Sequence, residues 1–201
     1  MPLTLILVSL LAAASGPGDQ HLLQGARAFR DGRYVEALVE FRVAEKLGAG
    51  PDARAYAAAS LVKLDRPEEA LELFGPRPDQ GPVLEFYRAL ACYQARLFTC
   101  ADQALKETIV RFGPRVRAEA RSLRKQIRKA LPVEVKADNV DWYLDKGAHS
   151  LETGRPALGL LYAEEARALG SRRKDCHRCA EAEALRARAR VALAVAEGKQ
   201  P

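Results

Sequence analysis

Apolar residues recur every three or four positions through most of the chain, and short polar turns separate these runs. Such spacing places the apolar side chains of one run on one face of a helix. Alanine, leucine, glutamate and arginine dominate the composition, and all four are good helix formers. The pattern predicts an all-α fold, with helices at about 20–31, 34–47, 52–64, 67–74, 83–95, 98–112, 115–130, 139–153, 156–169 and 178–197.

A longer period repeats across these helices, in steps of 33 and then 31 residues. A small residue marks each first helix, a second small residue marks its partner, and a large residue follows the second mark by four. Small residues let antiparallel helices approach closely, and one helical hairpin cannot bury its apolar face without a neighbour. The three sets are Gly25, Ala58 and Ala89; Ala37, Ala70 and Ala101; and Phe41, Phe74 and Leu105. A fourth copy has Gly147 and Gly159, with Ala163 in place of the large residue.

This pattern resembles the tetratricopeptide repeat over about residues 19–111 and 138–170. The first copy fits best, whereas the third carries Arg96 at the usual turn glycine. The resemblance implies antiparallel helical hairpins stacked as a short solenoid. We expect about three hairpins, an extra basic helix, then one hairpin and a C-terminal capping helix.

Four parts are predicted along the chain. Residues 1–16 form a signal peptide, 19–130 the first block with the basic helix at 115–130, 131–138 a linker, and 139–197 the rear hairpin and capping helix. The leader is an uncharged apolar run followed by Ala12–Ala14, and it is too short to span a bilayer. We therefore expect export to a periplasmic, envelope-associated or extracellular location, without a transmembrane span once the signal is removed.

The four cysteines are Cys92, Cys100, Cys176 and Cys179. In an oxidising compartment an even number predicts disulfides. The pairing of near neighbours is favoured, because Cys92 and Cys100 flank one predicted hairpin turn and the other two are three residues apart. Buried free thiols are the alternative for the first pair.

Cys176, His177 and Cys179 form the most chemical-looking stretch of the sequence. A c-type haem site requires histidine directly after the second cysteine, where Ala180 stands, and a structural zinc site requires four ligands. A disulfide that holds the corner before the capping helix is favoured. A thiol–disulfide function remains open, because a helix N-terminus can lower a thiol pKa. No cofactor is expected.

The first helix of each hairpin lines the concave face in the family that this sequence resembles. Carried over by position, the floor of that groove includes Phe29, Arg30, Lys63, Phe86 and Tyr93. Such a floor suits an apolar helix or an extended peptide. The alternative is that these side chains pack against a neighbouring hairpin or capping helix.

Positive charge is concentrated in residues 111–129, whose net charge of +7 exceeds the +6 of the whole chain. The apolar residues of this segment fall on one helical stripe, so the other faces form a basic ridge. Three partners are conceivable: an acidic protein, an anionic polymer or lipid surface, and nucleic acid, which export and the lack of interleaved aromatic residues disfavour. A solvated face in an arginine-rich chain is the fourth alternative. The ridge contains Arg115, Arg117, Arg121, Arg124, Lys125 and Arg128.

The sequence contains none of the nucleophile, metalloprotease or nucleotide-binding motifs of common enzymes. We therefore expect a non-catalytic scaffold that binds a peptide or protein partner. The alternatives are a thiol–disulfide protein acting through Cys176 and Cys179, and a repeat protein whose basic helix binds an anionic polymer or lipid head groups.

Overall fold

The computed structural model describes residues 16–75, 81–109, 113–137, 139–173, 176 and 178–198, and these residues form helices and turns without a strand. The predicted all-α hairpin fold is confirmed. The predicted signal peptide lies outside the described residues except for Gly16, which precedes the first helix. The helices are α1 (Pro17–Arg30), α2 (Tyr34–Lys46), α3 (Pro51–Lys63), α4 (Pro67–Phe74), α5 (Pro82–Gln94), α6 (Phe98–Thr108), α7 (Pro114–Ala137), α8 (Val140–Glu152), α9 (Pro156–Gly170) and α10 (Cys179–Ala196).

The hairpins close through the small residues that the repeat predicted. A Cβ atom added to Gly25 of α1 would lie 2.7 Å from two ring carbons of Phe41 on α2, and this phenylalanine is fully buried. Ala37 is fully buried in the same hairpin, and so are Ala58 and Ala89 at the first mark of the next two hairpins. The helix axes can therefore approach more closely than larger side chains would allow.

The prediction of a linker at 131–138 is wrong, because helix α7 continues to Ala137 and contains Pro132. Proline removes one backbone donor and crowds the preceding turn of a helix. Here Pro132 faces outward, while Leu131 and Glu134 on either side are buried. The Glu134 carboxylate accepts hydrogen bonds from Arg96 and Asn139, so tertiary contacts hold the last turn of α7.

The chain packs as two parts, a front block of α1–α7 and a rear unit of α8–α10. Helix α7 continues the stack by packing on α6. The rear unit does not continue it, because α9 lies mainly against α4 and α6, the second helices of the second and third hairpins. No helix in the described part of the chain is both long and apolar enough to cross a membrane.

Candidate functional site

The predicted groove floor is closed at its aromatic residues. Phe29 and Phe86 are only 5% and 4% exposed. The ring of Phe29 on α1 meets the ring of Tyr87 on α5 edge-on, with the centroids 5.7 Å apart. The prediction that Phe29 and Phe86 line an open groove is therefore wrong, and the alternative of internal packing holds for both.

Helix α3, which packs against α2, α4 and α5, supplies the reason for this closure. Its buried surface is made largely of alanines, and these occur on more than one face of the helix. A helix with so little side-chain volume lets α1 and α5 approach until their aromatic residues touch across it. The buried alanines are Ala53, Ala55, Ala57, Ala58 and Ala59.

Lys63 is the last residue of α3 and belongs to the same predicted groove floor. Its ammonium is 5.6 Å from the ring centroid of Tyr87 and 6.0 Å from that of Tyr34. Burial lowers the pKa of Lys63, while the carboxylate of Glu119 on α7 acts in the opposite direction. Burial also raises the pKa of Tyr87, with smaller effects from Tyr34 and Glu119. Lys63 is thus engaged within the protein, close to the first turns of α7.

The two remaining residues of the predicted floor are partly accessible. Arg30 is exposed at the end of α1, with its Nε 3.7 Å from Asp31. Tyr93 is half-buried and packs edge-on against Phe98, with the centroids 5.8 Å apart. The five predicted residues therefore do not form one open floor.

The basic ridge, in contrast, is accessible along α7. The apolar stripe of this helix is buried against the front block, and it consists of Val116, Ala120, Leu123, Ile127 and Leu131. Four basic side chains on the other faces are exposed, and they are Arg121, Lys125, Arg128 and Lys129. Arg117 and Arg124 are half-buried, whereas the side chain of Arg115 lies outside what the structure describes.

Part of this positive charge is not neutralised by the fold. Asp102 of α6 accepts a hydrogen bond from Arg124 at 2.7 Å and lies 3.9 Å from Arg128. In the described part of the chain no acidic partner contacts Arg121, Lys125 or Lys129. These three are spaced by four residues and follow one stripe about 12 Å long.

A cleft of about 430 Å³ runs beside this stripe. Its walls are basic, and one apolar side chain, Ile109 at the end of α6, contributes to its surface. We call it the basic cleft, and its lining residues are Ile109, Arg121, Arg124, Lys125, Arg128 and Lys129.

The cysteines lie as near-neighbour pairs at disulfide distance, which is the arrangement that the favoured pairing requires. Cys92 on α5 and Cys100 on α6 are joined across the third hairpin, with their Cα atoms 6.1 Å apart. Cys176 and Cys179 are joined at the start of α10, with their Cα atoms 5.6 Å apart. Both bridges fix a corner between two helices.

The corner before α10 is held from two directions. Arg178 lies between the two cysteines in a left-handed backbone conformation, with φ of 55°. Its guanidinium contacts Asp141 of α8 and Glu181 of α10. His177 lies outside the described residues. The geometry favours the predicted role of this bridge in fixing the corner.

Sequence reasoning missed the polar contacts between the front block and the rear unit. Glu68 of α4 accepts hydrogen bonds from Tyr162 at 2.9 Å and Lys146 at 3.1 Å, and Arg155 lies 3.5 Å away. Burial would raise the pKa of Glu68, but these hydrogen bonds and charges outweigh it and hold the pKa below its ordinary value. One turn further along α4, Glu72 accepts the backbone N–H of Leu158 at 2.8 Å, at the start of α9.

Glu165 of α9 makes the reciprocal contact to the front block. Its carboxylate accepts the backbone N–H of Thr99 at 2.8 Å and that of Cys100 at 3.2 Å, at the start of α6. Glu165 is 2% exposed, and burial raises its pKa to about 7 despite these hydrogen bonds and the charge of Arg172. Each part of the protein thus provides a carboxylate to the N-terminus of a helix in the other.

A third contact lies at the end of α7. The Tyr143 hydroxyl donates to the carbonyl oxygen of Arg96 at 2.8 Å, and the Arg96 guanidinium donates to Glu134 at 2.7 Å. Trp142 lies beside this contact, with Arg96 5.3 Å and Lys146 5.7 Å from its ring centroid.

One signal in the sequence could have revealed Glu165. It stands on the buried stripe of α9, at helical spacing from apolar residues before and after it. An acid at such a position is rarely left without a specific partner. The other members of that stripe are Leu158, Leu161, Tyr162 and Leu169.

Comparison with known proteins adds no family assignment. The resemblance to the tetratricopeptide repeat remains a prediction from the sequence, so function is argued from the surfaces described above. No family model matches this chain, and no curated protein or solved structure matches it.

Proposed function

We propose that this chain is a non-catalytic, tetratricopeptide-like scaffold that binds an acidic segment of a partner protein in the basic cleft, within an exported or cell-envelope assembly. The observation that carries the proposal is the exposed stripe of Arg121, Lys125 and Lys129, which lacks acidic partners in the described part of the chain. Carboxylates spaced along a peptide would complement this stripe and would be attracted to it from solution.

A protein segment suits this site better than a membrane surface. Helices that bind in the plane of a membrane bury an apolar face in the lipid. The apolar face of α7 is already buried by the front block. The basic cleft is concave and includes Ile109, so it can accept an apolar side chain between acidic ones.

Nucleic acid is a poorer match to the same site. Single strands are held by aromatic rings that stack on the bases as well as by positive charge. Among the described residues, the lining of the basic cleft consists of one isoleucine and five basic side chains.

The proposal is tested with a fluorescent poly-L-glutamate peptide of about twenty residues and the chain carrying Arg121→Glu, Lys125→Glu and Lys129→Glu. Exposed ion pairs each contribute up to about 1 kcal/mol, so the triple variant should raise Kd by roughly 5- to 150-fold. Binding by the unmodified chain should also weaken as salt is added.

A matched control separates the site from the net charge. Arg27, Lys46 and Arg188 are exposed on α1, α2 and α10, and changing all three to glutamate alters the net charge by the same amount. This control should bind the peptide as the unmodified chain does. Equal loss in both triple variants would overturn the proposal, as would tighter binding to phosphatidylglycerol vesicles than to the peptide.

A thiol–disulfide function is a second candidate, supported by the exposure of Cys176 in the bonded pair with Cys179. Its test is the reduction potential of this pair. A value near those of thiol–disulfide oxidoreductases would support it, whereas a strongly reducing value would identify a structural bridge.

A further inference from the structure

A second cavity lies between the front block and the rear unit, away from the basic cleft. It has a volume of about 410 Å³ and lies between α5, α6 and α9. This is within the range of small-ligand sites in proteins. Its polar lining consists of Glu85, Arg88, Thr99, Gln103, Glu164, Glu165 and Arg167, and Arg167 is 3.5 Å from Glu183 on α10.

Glu165 gives this cavity a buried carboxylate that no ion pair in the described part of the chain neutralises, although the charge of Arg172 acts on it. Its hydrogen bonds come from the backbone of Thr99 and Cys100, and no lysine or arginine in the described part of the chain forms an ion pair with it. A carboxylate 2% exposed is poorly hydrated, so a cation entering the cavity would find a strong partner. Glu164 differs, because Arg186 and Arg190 are within 4 Å of it.

Arg88 gives the same cavity a buried donor without an acceptor. Arg88 is 9% exposed, and one end of its guanidinium is 3.6 Å from Glu85. Its Nε atom is buried and has no hydrogen-bond acceptor in the described part of the chain. Buried donors are normally paired, and an oxygen of a ligand would satisfy this one.

We infer that this cavity binds a small zwitterion of the α-amino acid class, with its ammonium group at Glu165 and its carboxylate at Arg88. A simple amine would leave the Arg88 donor unpaired, and a simple carboxylate would be repelled by the negative charge of Glu165. A zwitterion satisfies both groups at once. The side chain of Thr99 also lines the cavity and can orient the ligand.

Isothermal titration calorimetry of the full chain near pH 8, where Glu165 is ionised, tests this inference. Glycine, L-serine and L-glutamine are the probes, and ethanolamine and lactate represent the two halves of L-serine. At least one amino acid should bind, and each half should bind at least about tenfold more weakly than L-serine if serine is the ligand. No heat from any amino acid, or equal binding by a half molecule, would overturn the inference.

Variants assign the two ends of the ligand. Glu165→Gln should abolish amino acid binding, and Arg88→Lys, which keeps the charge but lacks Nε, should weaken amino acids and lactate while sparing ethanolamine. Glu36→Gln, at an exposed position on α2 that does not line the cavity, is the matched control and should bind as the unmodified chain does. Circular dichroism checks that each variant keeps its helices. Unchanged binding by the Glu165 variant would refute the site.

The triple variant of the basic cleft separates this inference from the proposed function. Its substitutions lie on α7, whereas the cavity is lined by α5, α6 and α9. It should therefore lose polyglutamate binding and keep amino acid binding. Loss of both would contradict two independent sites.

Discussion

Glu165 should make the stability of this protein fall as the pH rises through neutrality. Burial raises the pKa of its carboxyl from 4.5 to about 7 in the folded protein. The folded state therefore retains a proton that the unfolded chain releases. The stabilisation is fully present below about pH 4.5 and is lost as the pH rises through about 7. One pKa unit corresponds to about 1.4 kcal/mol, so the unfolding free energy should decrease by about 3 kcal/mol over this pH range.

The perturbation is Glu165→Gln, which mimics the protonated carboxyl and can still accept the N–H groups of Thr99 and Cys100. Near pH 5 the variant and the unmodified chain should have similar unfolding free energies. Near pH 8 the variant should be the more stable of the two, by up to about 3 kcal/mol. Comparing the two proteins at each pH cancels the titration of groups that they share.

Glu68 does not obscure this comparison. Its folded pKa is depressed, so its contribution is present above its ordinary value of 4.5 and is lost only as the pH falls below that value. The pH range in which Glu68 affects stability therefore lies below the range in which Glu165 does.

Urea denaturation, followed by the fluorescence of the only tryptophan, measures the difference. Trp142 lies at the contact between the two parts of the chain, beside Arg96 and Lys146, so its emission reports on that contact. Glu36→Gln, at an exposed position on α2, is the control and should follow the unmodified chain at every pH. A constant difference between the Glu165 variant and the unmodified chain from pH 5 to pH 8 would refute the reasoning.

Two further changes test the packing and the contact between the two parts. Gly25→Ala places a Cβ 2.7 Å from the buried ring of Phe41 and should destabilise the fold. Overpacking costs about 1–3 kcal/mol, which should exceed the gain of up to about 1 kcal/mol in helix propensity. A higher urea midpoint than that of the unmodified chain would contradict this. Glu72→Ala removes the acceptor for the Leu158 N–H and should cost about 1 kcal/mol, whereas Glu69→Ala, which breaks only an exposed ion pair with Arg66 on the same helix, should cost less than about 0.5 kcal/mol. Equal costs in urea denaturation would show that the contact to α9 contributes nothing.

The helices and their pairing could be predicted because both depend on residues close in sequence. Gly25 and Ala37 are twelve positions apart, within one hairpin, and their spacing recurs in the next two hairpins. The end of α7 was predicted wrongly because Pro132 is a local signal for a break, whereas the contacts that oppose it come from Arg96 and Asn139. Arg96 is 38 residues from its partner Glu134, and no local pattern records that pairing.

The prediction of an open groove at Phe29 and Phe86 was wrong for a related reason. Position within the repeat identified the correct helical face for Phe29 and Phe86, but accessibility depends on how closely the first helices approach. That distance follows from the small volume of α3, whose alanines are ordinary helix formers when considered singly. The basic ridge was easier to predict, since its charge is contiguous in sequence and the apolar stripe of α7 had to face the protein. That the ridge lines a cleft with Ile109 was not predicted.

The carboxylates between the two parts explain why the rear unit docks in one position. Apolar contacts between α9 and the front block change little if the helix slides or turns, because they have no fixed direction. Hydrogen bonds from Glu72 to Leu158 and from Glu165 to Thr99 are directional, and each involves the first turn of a helix in the other part. The cost of desolvating the carboxylates offsets much of the stability that these hydrogen bonds contribute. We therefore expect their main effect to be on the specificity of docking. A register fixed in this way forms the cavity between α5, α6 and α9 and leaves the outer face of α7 uncovered.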